Sequence, residues 1–163
     1  NILNLSEDEI IVNVQGDEPF IEVEVVEAVI NRVKQIKENN EDIMITSCYK
    51  EISSSLADDP NHVKVVLDEH SNAIYFSRAK VPYHRDHHEN ATYSGHLGIY
   101  GFTKKSLNAF CKLPSSKLEN IEKLEQLRAI DNGHKIAMVK VVSKSFGIDT
   151  QEDLNNAIKI FGK

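Results

Sequence analysis

Two polar clusters stand where β-branched runs give way to helical patterns, and their carboxylates are the first candidates for chemistry. In Ile11-Val12-Asn13-Val14-Gln15-Gly16-Asp17-Glu18-Pro19 the cluster directly follows a buried-strand pattern, and ligands of open α/β sheets bind outside the carboxyl ends of strands. Gly16 permits a sharp turn and Pro19 stops the strand, which presents Gln15 and Asp17 at the sheet edge. An Asp that caps a turn explains Asp17 as well as a metal ligand does. Near the other end, Gly147-Ile148-Asp149-Thr150-Gln151-Glu152-Asp153 opens a helix in which Thr150 and Asp153 have capping-box spacing. That arrangement leaves Asp149 unexplained. Carboxylates from two strand-to-helix junctions are the hard oxygen donors that Mg²⁺ accepts alongside substrate phosphates, so Asp17 and Asp149 are candidate catalytic metal ligands wherever the fold makes them converge.

Other side chains suit an acidic, hydroxylated ligand. Arg78 ends the apolar run Ala73-Ile74-Tyr75-Phe76, where a planar guanidinium could grip a carboxylate through two parallel hydrogen bonds or sit in a surface ion pair. In His96-Leu97-Gly98-Ile99-Tyr100-Gly101-Phe102 a period of two puts His96, Gly98 and Tyr100 on one face, with room over the glycine for a sugar. A lone strand histidine is more often structural. Glu125 and Arg128 fall beside the helical stripe Leu118, Ile121, Leu124, Leu127. Inward charges need partners; Arg128 is expected to pair with Glu125, unless Glu125 and Gln126 meet sugar hydroxyls instead. His84, His87 and His88 lack the spacing of a good zinc set and are a weak metal site.

These residues need a scaffold. Runs at Ile10 to Val14, Ile43 to Cys48, Val63 to Leu67, His96 to Gly101 and Ile136 to Val142 predict strands; Ile21 to Glu38, Lys104 to Lys112, Leu118 to Ile130 and Gln151 to Phe161 predict helices. The alternation predicts an α/β fold with a mostly parallel sheet. Asp68-Glu69-His70-Ser71-Asn72 between Val63 to Leu67 and Ala73 to Ser77 predicts an antiparallel hairpin, and Pro82 to Gly95 predicts a polar loop.

A chain of 163 residues with formal net charge -6 and no long block of Lys or Arg argues against nucleic acid as a partner. No apolar run approaches the roughly 20 residues that span a bilayer, and no basic segment leads into an apolar signal stretch, so a cytoplasmic protein without a membrane partner is expected. Cys48 and Cys111 form no zinc or disulfide pattern and read as two buried small hydrophobes.

In order and spacing, Asn13 to Pro19, Val63 to Asp68, Tyr75 to Ala79, His96 to Phe102, Leu124 to Arg128 and Gly147 to Thr150 resemble the CMP-Kdo synthetases, where Kdo is 3-deoxy-manno-octulosonate. The resemblance spans nearly the whole chain. It implies a Rossmann-like nucleotide-diphospho-sugar transferase fold with a mixed, mostly parallel sheet, and a homodimer transferring a cytidylyl group from CTP to Kdo with Mg²⁺ as cofactor. It implies Asp17 and Asp149 as metal ligands, and Gln15, Arg78, His96, Tyr100, Glu125 and Gln126 as substrate-binding residues. The family opens with a strand and a triphosphate-gripping loop that this sequence does not contain. Residues 1–163 are therefore expected to be the C-terminal portion of one cytidylyltransferase domain, inactive alone. Two rivals are a cytidylyltransferase for another acidic sugar such as sialic acid, and a non-catalytic sugar-acid-binding module that would not need Asp17 and Asp149.

Overall fold

A computed structural model describes residues 4–16, 18–86, 91–145, 147–148 and 151–161. The elements run β1 (Ile10–Val14), α1 (Val23–Asn39), β2 (Ile45–Ser53), α2 (Ser54–Ala57), β3 (Lys64–Leu67), β4 (Ala73–Ser77), β5 (Thr92–Thr103), α3 (Lys104–Phe110), α4 (Lys117–Glu122), α5 (Leu127–Asp131), β6 (Ile136–Lys140) and α6 (Gln151–Phe161).

The sheet is built on β5. Its long run alternates small or polar with apolar residues, and it neighbours β3 on one side and β2 on the other in the order β4-β3-β5-β2-β6, with β1 also paired to β5. The sheet is mixed, as expected, but its parallel share is smaller than the strand–helix rhythm suggested. Among the described strands β2 and β6 run parallel, whereas β1 and β2 each run antiparallel to β5, and β3 runs antiparallel to both β4 and β5. One antiparallel pair is the expected hairpin, β3 and β4 being joined by a tight turn in which the Asp68 carboxylate accepts from the His70 and Asn72 amides; the rest comes from β5, which runs antiparallel to β1, β2 and β3.

Helix α1 covers one face. Val25, Val29, Val33 and Ile36 recur every three to four residues and are buried, so each removes most of an apolar side chain from water at roughly 1.5–3 kcal/mol apiece. The approach is close enough to require a glycine, because a Cβ on Gly101 would lie 2.6 Å from Val29 Cγ1 and 2.8 Å from Val33 Cγ2. The opposite face carries Phe76, Tyr100, Phe102, Phe110, Leu124, Leu127, Ile136 and Met138. Odd positions of β5, Leu97 and Ile99, therefore join the α1 side with Cys48, while even positions face the second layer and the site.

Three further expectations are corrected. The helix expected over Leu118 to Ile130 is two helices, broken at Lys123, which takes a left-handed backbone (φ 56°). Tertiary bonds outweigh helix propensity there: the Glu122 carboxylate accepts from Ser77 Oγ (2.7 Å), Tyr75 Oη (3.3 Å) and the Arg78 amide (2.9 Å), and the break turns Leu124 inward while Ile121 stays exposed. The polar loop ends earlier than Gly95, because β5 begins at Thr92. Cys111 is exposed, whereas Cys48 is buried, and burial followed by the nearby Glu18 charge pushes the Cys48 thiol up to about 12. Among the described residues no helix is long and apolar enough to cross a membrane.

Candidate active site

With β2 occupying one edge of β5 along residues 92–101, β1 and β3 must share the other edge. β1 follows it to Gly98, whose carbonyl accepts the Gln15 amide at 3.0 Å, and β3 takes over at His96, whose amide donates to Val63 O at 2.8 Å. The two strands part between those bonds. A cavity of about 470 Å³ opens at the split, lined from β1 by Gln15 and Glu18, from β5 by His96, Gly98 and Tyr100, from the β4 end by Arg78, and from the α4–α5 break by Lys123 to Gln126. Its size suits a small polar ligand.

Gln15, Arg78, His96, Tyr100, Glu125 and Gln126, six residues scattered over more than a hundred positions, thus line one cavity. Arg78 is held rather than neutralised: Nε donates to Glu122 O (2.9 Å) and Nη1 to Pro60 O (3.1 Å), and no carboxylate within ion-pair distance is found among the described residues. Glu122 itself is held below the usual carboxylate range: burial opposes this, but the Arg78 amide and the Ser77 and Tyr75 hydroxyls outweigh it. Gln126 is 2 % exposed and its Nε2 has no hydrogen-bond partner among the described residues. A buried donor left unpaired costs about 1–3 kcal/mol, a cost that an acceptor on a bound ligand would remove. Glu125 beside it is exposed. It does not pair with Arg128, whose Nη2 and Nε instead contact the Glu119 carboxylate at 2.5 and 3.0 Å.

His96 forms the floor. Its ring meets Phe76 edge-on at 5.0 Å and Tyr100 at 5.5 Å, and burial alone pulls its pKa down to about 3, so it is neutral at ordinary pH. The fit over Gly98 is tight, since a Cβ there would lie 3.3 Å from Glu18 Cγ and 3.4 Å from Gln15 Cβ.

A second cluster ties the chain after β6 to the chain after β1. Glu18, 7 % exposed, accepts from the Gly98 amide (3.2 Å) and from Ser145 Oγ (2.8 Å). Glu22 accepts from Ser143 Oγ (2.5 Å) and the Lys144 amide (2.7 Å), and these bonds outweigh burial to hold it below the usual carboxylate range. Lys50 Nζ donates to Ser145 O; burial lowers its pKa against the raising influence of Glu18 and Glu22. Glu18 and Gly147 consequently line the same cavity. Asp17 and Asp149 lie outside the described residues, as do Thr150 of the expected cap and His87 and His88. Gly16 does not adopt the left-handed backbone that would make glycine obligatory. Among the described residues no three His, Cys, Asp or Glu gather as a metal site.

Sequence reasoning passed over Glu18, Lys50 and His62, which line the cavity, and Ser47 and Glu122, which contact His96 and Arg78. Glu18 stands in the Asn13 to Pro19 segment beside Asp17. Ser47 and Lys50 were polar interruptions around a strand that turned out longer than expected. Glu122 carries no local signal, because its importance comes from β4.

The fold recurs in solved structures. A CMP:2-keto-3-deoxy-manno-octonic acid synthetase complexed with CTP aligns with TM-score 0.80 and 34% identity over 93% of this chain and 61% of that one. A glucose-1-phosphate thymidylyltransferase from Bacillus anthracis, at 14% identity and TM-score 0.54, shares the fold alone. The scaffold is that of the sugar nucleotidyltransferases. Residues 1–136 match the family profile described as Cytidylyltransferase, and the chain belongs to that family. Among relatives, the 3-deoxy-manno-octulosonate cytidylyltransferases of Wolinella succinogenes and Helicobacter pylori are 54% and 50% identical over 99% and 98% of this chain, covering 67% and 65% of their own lengths. An 8-amino-3,8-dideoxy-manno-octulosonate cytidylyltransferase of Shewanella frigidimarina is 41% identical over 94% of the chain and 61% of its length. The chain spans about two thirds of the length of the relatives it matches.

Proposed function

We propose that this chain supplies the sugar-acid side of an enzyme that transfers the cytidylyl group of CTP to Kdo, giving CMP-Kdo and pyrophosphate for lipopolysaccharide. The observation that carries this reading is the cavity at the split edge of β5, where the unpaired Gln126 Nε2 and a backbone-held Arg78 face a neutral His96. Arg78 is suited to a carboxylate, while Gln126, Tyr100 and Glu125 are suited to hydroxyls, a division that fits a sugar acid. The named activities of the relatives support the same substrate pair.

The chain's contribution to catalysis is mainly to hold the reactants: the sugar hydroxyl is oriented toward the α-phosphorus, the new O–P bond forms as the bond to pyrophosphate breaks, and the hydroxyl proton is released. The oxygen donors Asp17 and Asp149 are chemically fitted to a hard divalent cation such as Mg²⁺, and their neighbours Glu18 and Gly147 line the cavity. Held by these two carboxylates, Mg²⁺ would supply neutralisation of phosphate charge. The homodimer and the cytoplasmic setting implied by the resemblance belong to the same proposal; light scattering tests the first.

Pyrophosphate release from CTP, measured in the whole protein with Kdo, with sialic acid and with EDTA, tests the reading. Turnover with Kdo that chelation abolishes is expected. Turnover with sialic acid alone would overturn it.

A further inference from the structure

We infer that Ser47 is a positioning residue that fixes the tautomer of His96, so that this ring presents a hydrogen-bond acceptor to a donor group, a hydroxyl, of the bound sugar acid. The inference rests on the reading of the cavity as a sugar-acid site. Ser47 sits in β2 directly opposite Tyr100, is 0 % exposed, and its Oγ lies 2.8 Å from Ile99 O and 2.9 Å from His96 Nε2. A hydroxyl has one proton. The Ile99 carbonyl can only accept, so that proton goes to it; donating it to His96 instead would press two acceptor oxygens together at 2.8 Å. Ser47 Oγ is then the acceptor of the second bond, and Nε2 must carry the ring's hydrogen. In a neutral imidazole Nδ1 is left with a lone pair.

The consequence is a polarity for the cavity floor. His96 lines the cavity, and no protein group donates to its Nδ1 among the described residues. A ligand atom seated there must bring a hydrogen. A phosphate or carboxylate oxygen is disfavoured at that spot, whereas Arg78 and Gln126 Nε2, both donors, await acceptors elsewhere in the cavity. The floor therefore sorts one end of a sugar acid from the other: the carboxylate belongs with Arg78, and a hydroxyl that brings its hydrogen belongs over His96.

The test begins with the unmutated protein labelled with ¹⁵N-histidine. Long-range ¹H–¹⁵N correlation is expected to show a pyrrole-like Nε2 and a pyridine-like Nδ1 for His96, with the Nδ1 signal shifting on addition of Kdo while Nε2 keeps its hydrogen. Ser47→Ala is expected to give an averaged or reversed tautomer and to weaken Kdo binding, measured by calorimetry, about tenfold, with Ser47→Thr restoring both. A protonated Nδ1 in the unmutated protein overturns the inference, and this reading needs no variant that folds. So does calorimetric binding of Kdo that leaves Nδ1 unmoved. Absence of any Kdo binding alongside the expected tautomer overturns the sugar-acid reading, and with it the partner assigned to Nδ1.

Discussion

His96 shows how far one side chain's surroundings govern what it can do. An exposed histidine titrates near 6.5, but burial holds this one near 3. The unfolded chain therefore binds a proton between those values that the folded chain refuses, and stability falls as pH drops below 6.5. At about 1.4 kcal/mol per pH unit, roughly 2 kcal/mol is lost by pH 5; urea midpoints at pH 7 and 5 check this, and His96→Asn should flatten the difference. Arg78 makes the complementary prediction. Arg78→Ala should raise KM for the sugar acid tenfold to a hundredfold and leave KM for CTP within twofold, because Arg78 lines the cavity proposed for the sugar acid. The types of these residues were legible from position alone, since a period of two put His96 and Tyr100 on one face. The charge state of His96 was not, because it depends on the burial of the ring among Phe76 and Tyr100.

The elements matter most where they end or touch. Lys123 breaks the expected helix at φ 56°, a conformation that costs a side-chain-bearing residue about 1 kcal/mol relative to glycine. Lys123→Gly should raise the melting temperature, and any accompanying loss of sugar binding would reveal work done by the lysine side chain in the cavity. Gly101→Ala should do the opposite, destabilising by about 1–3 kcal/mol as α1 is pushed off β5, which a chemical denaturation curve measures directly. Most strands and helices were legible in apolar periodicity. The α4–α5 break was not, because what turns the chain there is Glu122 bonding to the end of β4, a contact between residues more than forty positions apart. The antiparallel bias of the sheet was hidden for a similar reason: apolar runs announce strands but not the direction of their neighbours.

At the scale of the whole molecule, the site is a consequence of topology. Two strands sharing one edge of β5 leave a gap, and the chain after β6, tethered by Glu18 and Glu22, brings Gly147 to its rim. No spacing in the sequence announces that gap. The resemblance to CMP-Kdo synthetases pointed to residues that line it, but the route by which they meet is visible only in the fold. The central claim is that this cavity binds Kdo through Arg78 and Gln126, and isothermal titration of Kdo into the unmodified protein and into Gln126→Ala tests it most directly. Binding that weakens at least tenfold in Gln126→Ala, with the fold unchanged by circular dichroism, is the predicted result; equal affinity in both proteins, or no binding to either, would contradict it.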